Sequence, residues 1–525
     1  MNPIDTRDGH PRRRAILAVL CLSLLIVVID NTILNTALPT LARVLKASTT
    51  DLQWITDAYT LTFAALLIMA GALGDRFGRR KALLGGLVIF AAGSAWAALS
   101  GDASTLIAAR ALMGVGAAFV MPATLSILTA VFPVKERAGA IALWSGIAGV
   151  GIVVGPTLGG LLLAHFYWGS VFWVNVPLVV VALTAVLAVV PDLPGRREAG
   201  ARLDTIGAVL SSAAMLAVID AVIEGPNRGW TSATTLAELA IGAGLVAAFV
   251  YRELHVASPL IDVRVFRHRA FSAASGAIGL TFLALFGSLF GLTQYLQLVH
   301  GYSPLSAGLR ALPFAAAVMV TAPLSSKLVA RLGIRAVIPA GLTLMGGGLL
   351  MLTAMTPVTS YAFIAAGVAI MGTGMGLVMA PAGESIMSVL PPEQAGAGSA
   401  VNDTVQELGA SLGIAIIGSI MASSFRHGLD ASGLPAPVVA AARSSIAAAD
   451  ATAAHAGPAG AQILEVAHES FTSAMTTGFT VAGIIAVAGA LVVAIALPRR
   501  TARTGTAAAA QSADRAGQLA GASAR

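Results

Sequence analysis

The chain has 525 residues, of which 57% are hydrophobic and only 11% charged, where a soluble domain carries about 25% charged residues. It cannot cover itself with polar surface, so a soluble globular protein is excluded. The net charge of +7 does not point to nucleic acid, because the basic residues lie scattered between apolar blocks, and the single Cys21 excludes a disulfide framework or thiolate metal cluster.

The apolar blocks run about 18 to 25 residues, the length that crosses about 30 Å of hydrocarbon as helix. The first follows Arg12, Arg13 and Arg14 and predicts a helix over about 15–37. It is read as a retained span, because Asp30 interrupts it and many spans follow. Further helices are predicted at about 52–73, 82–100, 104–128, 138–164, 171–191, 205–223 and 235–252, and then at about 271–298, 306–328, 336–356, 361–382, 396–423 and 471–497. The expectation is an all-α polytopic membrane protein with fourteen transmembrane helices.

Lys and Arg in the connections set the orientation. With the N-terminus inside, 25 of the 32 basic residues fall in inner segments and 6 in outer ones, with Arg110 alone inside a span. Both termini are therefore expected in the cytoplasm of a bacterial plasma membrane. None of the four Lys follows a Gly, so a Walker phosphate loop, and with it ATP, is excluded.

An internal repeat divides the chain. Met113 opens MGVGAAFVMPA and Met371 opens MGTGMGLVMAPA, while the pattern Arg, apolar, Gly, any, Arg occurs at Arg76–Arg80 and again at Arg331–Arg335. Offsets of 258 and 255 residues imply a duplicated six-helix unit with two helices inserted between the copies. The expected parts are a cytoplasmic segment 1–14, an N-terminal bundle 15–191, a linker 192–270 with two extra helices, and a C-terminal bundle 271–497 with an outer loop 424–470. A disordered cytoplasmic tail is expected over 498–525.

The connection after the second helix reads GALGDRFGRRK, with Gly71, Asp75, Arg76, Gly78, Arg79 and Arg80 in the spacing GxxxDRxGRR. It resembles the hallmark loop of the major facilitator superfamily. The likeness narrows to the fourteen-helix drug:proton antiporters through DNTILNTALP from Asp30, QWITDAYTL from Gln53, RALMGVGAA from Arg110 and GIVVGPTLGG from Gly151. That resemblance implies the major facilitator fold, two pseudo-symmetric six-helix bundles with the two inserted helices outside them. It further implies proton-coupled export of lipophilic, often cationic drugs. Export of one endogenous metabolite or lipid on the same fold is the alternative.

The residues are read in the same light. Asp30, about ten residues from the outer end of the first helix, is deep enough that it must be paired, hydrated or protonated, and Arg110 is the candidate partner. Asp57 is expected about one turn inside the second helix, near water. Gly71 to Arg80 form the expected gate loop, with tight turns at glycine and Asp75 free to meet Arg or a helix N-terminus. Gly151, Gly155 and Gly159 make two GxxxG steps, and together with Pro156 and Gly160 form the expected antiporter motif, where close helix contact is permitted. Gln294, Gln297, Asn402, Asp403, Gln406 and Glu407 are the expected cavity residues, Asp403 and Glu407 sharing one helix face. A membrane enzyme is not supported, since there is no adjacent metal-diphosphate acid pair or HExxH pair, and the eight His are dispersed. No cofactor or metal is expected. The expected partners are protons, a small-molecule substrate and the lipid bilayer, with the chain a monomer.

Overall fold

A computed structural model describes residues 10–192, 204–256, 259, 263–389 and 395–497. The segments predicted as the N-terminal extension before residue 10 and the tail 498–525 lie outside the described residues, as do Arg196, Arg197 and Arg202 of the linker.

The first half holds α1 (Arg13–Val44), α2 (Thr49–Phe77), α3 (Arg79–Ala98), α4 (Ala103–Val131), α5 (Val134–His165), α6 (Ser170–Trp173) and α7 (Asn175–Val189). Then come the inserted helices α8 (Thr205–Arg228) and α9 (Ala233–His255). The second half holds α10 (Arg269–Gln294), α11 (Pro304–Leu309), α12 (Leu312–Leu332), α13 (Ile334–Leu352), α14 (Tyr361–Val389) and α15 (Ala395–Asp430). It ends with α16 (Ala436–Ala442), α17 (Ile446–His455) and α18 (Gly460–Ala496). Helix is what lipid demands of a spanning segment, because only there are the backbone groups satisfied within the segment itself. Polar caps mark the ends that face water: Ser48 and Asp51 form a capping box on α2, Asp102 caps α4 and Ser303 caps α11.

Each predicted helix meets an observed one, with four differences. The predicted helix at 171–191 breaks at Val174 between α6 and α7, and that at 271–298 closes in a π-turn, Tyr295–Val299. The one at 306–328 divides at Arg310 and Ala311, and α18 begins at Gly460, well before the apolar run at 471 that marked it in the sequence. Among the described residues twelve helical segments are long and apolar enough to cross a membrane. α2 and α5, of 29 and 32 residues, are not among these twelve.

Close contacts at glycine recur at the two repeated motifs. A Cβ on Gly114 of α4 would meet the Tyr59 carbonyl of α2 at 2.5 Å, and one on Gly116 would meet Phe90 N of α3 at 2.6 Å. Their counterparts on α14 behave alike: Gly372 lies against the Phe314 carbonyl of α12, and a Cβ on Gly374 would meet Met345 N of α13 at 2.6 Å. The α2–α3 junction turns on Gly78 (φ 112°) and the α12–α13 junction on Gly333 (φ 81°), each in the region glycine favours. α8 packs on α9 and lies beside α2 and α15, whereas α9 is exposed along most of its length.

Candidate functional site

The centre of the first half is a buried polar cluster. Asp30 on α1 and Arg110 on α4 are both fully buried and form an ion pair at 2.5 Å from Nη1 to Oδ2. Asn175 stands at the start of α7, where its Nδ2 donates to Asp30 Oδ1 at 2.8 Å and to Ser94 Oγ of α3 at 2.9 Å. Arg110 Nε donates to the Ile55 carbonyl of α2 at 3.2 Å, and the guanidinium lies 4.3 Å from the Tyr59 ring centroid. Side chains and backbone from α1, α2, α3, α4 and α7 thus converge on one carboxylate. A buried ion pair is weak evidence of stability, since desolvating both charges offsets most of their attraction, but removing either partner strands the other. Arg110 Nη2, Asn175 Oδ1 and Tyr59 Oη have no hydrogen-bond partner among the described residues.

The halves are tied together at the end of the bundle opposite the N-terminus. Gln53 of α2 donates through Nε2 to the Ile414 and Ala415 carbonyls and to Ser419 Oγ of α15, at 3.3, 3.1 and 3.3 Å. Asp57 is fully buried rather than near water as expected, because α15 covers it: Ser411 Oγ donates to its Oδ1 at 2.9 Å, and Oδ2 has no partner. Gln297 Nε2 donates to the Thr36 carbonyl at 2.8 Å, and Thr49 N to the Ser444 carbonyl at 3.1 Å.

The motif from Gly151 serves two contacts. Gly151 and Gly159 face Val28 and Ile33 of α1, where a Cβ would come within 2.6 and 2.7 Å, and Gly155 is pressed against Thr32. Gly160 faces the other half, where a Cβ would meet Leu305 N at 2.6 Å, and Pro156 packs against Gly308. The expected gate loop is mostly helix. α2 runs through Gly71 and Arg76 to Phe77, α3 starts at Arg79, and the turn is confined to Gly78. Arg79 Nη1 donates to the Ser126 carbonyl at 3.2 Å and Arg80 Nη2 to the Leu187 carbonyl at 2.8 Å, while the Asp75 side chain lies outside the described residues.

Between the halves, α1 and α5 face α10, α11, α12 and α14 across a cavity of about 80 Å³. Its walls are mainly apolar, with Thr32, Asn35, Thr36, Ser288, Thr293 and Arg310 as the polar lining. The expected cavity residues lie elsewhere. Gln294 Nε2 bonds back to the Phe290 carbonyl of its own helix and Gln297 Nε2 donates to the Thr36 carbonyl, and neither residue is on the cavity wall. Asn402, Asp403, Gln406 and Glu407 lie half-buried on α15, where Asn402 Nδ2 donates to Asp403 Oδ1 at 3.3 Å and Glu407 Oε2 has no partner.

The sequence pattern of the Major Facilitator Superfamily matches residues 20–414. The chain belongs to that superfamily. Among facilitator relatives it is 37% identical to the multidrug efflux pump LfrA of Mycolicibacterium smegmatis, over 92% of this chain and 96% of LfrA. It is 35% identical to the tetracenomycin C resistance and export protein of Streptomyces glaucescens, over 91% and 90% of the two chains. It is 36% identical to the methyl viologen resistance protein SmvA of Salmonella typhimurium, over 89% and 94%. In fold it resembles a bacterial homolog of the human lysosomal transporter Spinster, in an inward-facing, unoccupied conformation, with a TM-score of 0.66, 19% identity and coverage of 93% and 98%. This facilitator chain is a multi-pass membrane transporter and not an enzyme.

Several residues of the facilitator site carry no signal in the sequence. Asn175 and Ser94 lie far from each other and from Asp30 in the chain, and small polar residues are common in spans. Gln53 and Tyr59 fall inside QWITDAYTL, where the motif marks the segment and not the roles of its side chains.

Proposed function

We propose that this transporter is a proton-coupled antiporter that exports lipophilic drugs or toxic compounds, cations among them, across the bacterial plasma membrane. The observation that carries the reading is the fully buried Asp30–Arg110 pair at the meeting point of the first half's helices. Relatives bearing the names multidrug efflux pump and resistance protein support the drug class. In this reading the chain crosses the bilayer fourteen times, α2 and α5 included, as two six-helix bundles with α8 and α9 outside them. Both termini lie in the cytoplasm, in accord with the Arg and Lys bias, and the chain works as a monomer on the proton gradient without ATP or cofactor.

Asp30 is the coupling acid. It carries a proton in one state and, when that proton leaves, takes Arg110 as counter-ion. Arg110 cannot lose its own proton, so it acts by setting what the carboxylate does. Proton and substrate each favour the state the other vacates, and that competition converts the gradient into export. Asp57, Asp403 and Glu407 are the further acids a cationic substrate or a second proton would meet. The Gly71–Arg80 junction acts in closing the inner gate, with Asp75 as its acid, and the glycines from Gly151 to Gly160 let α5 slide against α1. The tetracenomycin relative, whose name describes export of one compound, supports a single metabolite as the second reading.

The test is Asp30→Asn in proteoliposomes, with efflux driven by a pH gradient and proton release on substrate addition both recorded. Loss of both at normal yield and monodispersity is expected. Survival of both at wild-type rates would assign Asp30 a structural role and move the coupling to Asp57, Asp403 or Glu407.

A further inference from the structure

Among the described residues four arginines make ion pairs: Arg110 meets Asp30, Arg228 meets Asp220 and Glu238, Arg252 meets Asp204, and Arg13 meets Glu136. Arg310 is set apart by its place. It makes no ion pair among the described residues, and it is the one charged side chain on the wall of the cavity between the halves.

Its position follows from the break between α11 and α12, where Arg310 ends one helix and Leu312 begins the next. The side chain is held from several directions. Its guanidinium carbon lies 3.7 Å from the Tyr302 ring centroid and 4.9 Å from that of Tyr361, and Nη1 donates to the Ser306 carbonyl at 3.0 Å and to Ser306 Oγ. Tyr361 Oη donates in turn to the Arg310 carbonyl at 3.1 Å. Arg310 Nε is buried and has no hydrogen-bond partner among the described residues. A guanidinium fixed against apolar walls, with a donor to spare and no carboxylate facing it, favours an anionic or strongly accepting oxygen.

We propose that Arg310 forms an anion-accepting subsite of the transport cavity, which takes the carboxylate, phenolate or equivalent oxygen of an otherwise lipophilic solute. This deepens the export reading above and rests on it. The cavity of about 80 Å³ fits one such group rather than a whole drug-sized molecule, which needs about 300 Å³ or more. Leu289, Leu292, Phe314 and Met371 supply the apolar wall on which the body of the solute lies. None of Asp57, Asp403 and Glu407 lines this cavity, so the anion subsite is separate from the acids that a cation would use. The transporter therefore takes lipophilic anions as well as cations, each by its own contacts.

The test uses the full-length protein in phosphatidylcholine nanodiscs and proteoliposomes, where no anionic lipid competes. Two xanthene dyes of opposite charge serve as probes: fluorescein, with its carboxylate and phenolate, and the cationic ester rhodamine 6G. Arg310→Gln is expected to weaken fluorescein binding about tenfold or more, with Arg310→Lys, which keeps the charge, losing less, while an unchanged size-exclusion profile and melting temperature show that both variants are folded. A second measurement needs no variant: the Nε–H resonance of Arg310 in arginine-labelled wild-type protein should shift on adding fluorescein and stay in place with rhodamine 6G. Fluorescein binding that survives Arg310→Gln, or an unmoved Nε–H resonance, overturns the proposal. Wild-type protein that exports rhodamine 6G but does not bind fluorescein overturns it too and leaves the export reading intact. Failure of both dyes to move under a pH gradient, with fluorescein still bound through Arg310, overturns export and leaves the subsite standing.

Discussion

Single side chains of this transporter sit in opposite electrostatic settings. Asp30 is compensated inside the bundle, whereas His300, between α10 and α11, is surrounded by groups that disfavour its charge. Its Nε2 lies 2.9 Å from Tyr295 Oη and its ring stacks on Tyr302 at 5.4 Å. Burial pushes the His300 imidazole below its ordinary value, and the nearby Arg310 and His468 push it further. The folded protein therefore binds fewer protons here than the unfolded chain does. The stability this group contributes is present above about pH 6.5 and is lost as the pH falls below it. NMR titration of histidine-labelled protein should find the His300 midpoint below the free imidazole value. In Arg310→Gln the midpoint should rise toward that value, since one source of repulsion is gone. A midpoint at or above the ordinary value would contradict this account.

Among the helices, α5 has the tightest double duty, since one stripe of glycines meets α1 in its own half and Gly160 meets α11 in the other. A Cβ at Gly160 would collide with the backbone of Leu305, which cannot rotate away as a side chain would. Overpacking of this kind costs about 1–3 kcal/mol, and here it is felt only when the halves are closed at this end. Gly160→Ala should therefore favour separation of the halves at the α5–α11 contact. Spin labels on the outer ends of α5 and α11 should report longer distances, and transport should slow because the closed state is reached less often. Unchanged distances and rates would mean that α5 and α11 adjust at no cost. The inserted pair has a different character. α9 is exposed along most of its length, and Arg228 is held by Asp220 and Glu238 at the end of α8, which suits a support beside the bundle rather than a wall of the cavity.

At the scale of the whole molecule, the halves close through Gln53, Asp57, Gln297 and Thr49, all at one end. Gln53→Leu keeps the bulk and removes the donor that reaches two carbonyls and a hydroxyl of α15. A hydrogen bond contributes about 0.5–1.5 kcal/mol net, so loss of this set should move the equilibrium between closed and open about tenfold toward opening at that end. Accessibility of a cysteine placed on α15 facing Gln53, read by a membrane-impermeant reagent, should rise by a similar factor. An unchanged labelling rate would mean that the apolar contacts of the interface carry the closure.

Much of this architecture is legible along the chain, because lipid imposes simple rules on it. A span must be long, apolar and helical, so the helices and their order follow from hydropathy, and the duplication follows from motifs repeated at a fixed offset. Asp30 and Arg110 stand out for the same reason, since a charge placed inside an apolar run has few explanations. What the chain order cannot convey is which polar atoms meet. Asn175 of α7 meets Asp30 of α1 across the bundle, Asp57 is buried where α15 packs over it, and Gln294 Nε2 bonds within its own helix. Arg310 appears in the sequence as one more outer basic residue, and only the packing of Tyr302 and Tyr361 makes it a fixed cation on a cavity wall. The solvent dictates the elements through local composition. Their contacts arise from residues far apart in the chain, and so the site is a property of the tertiary structure alone.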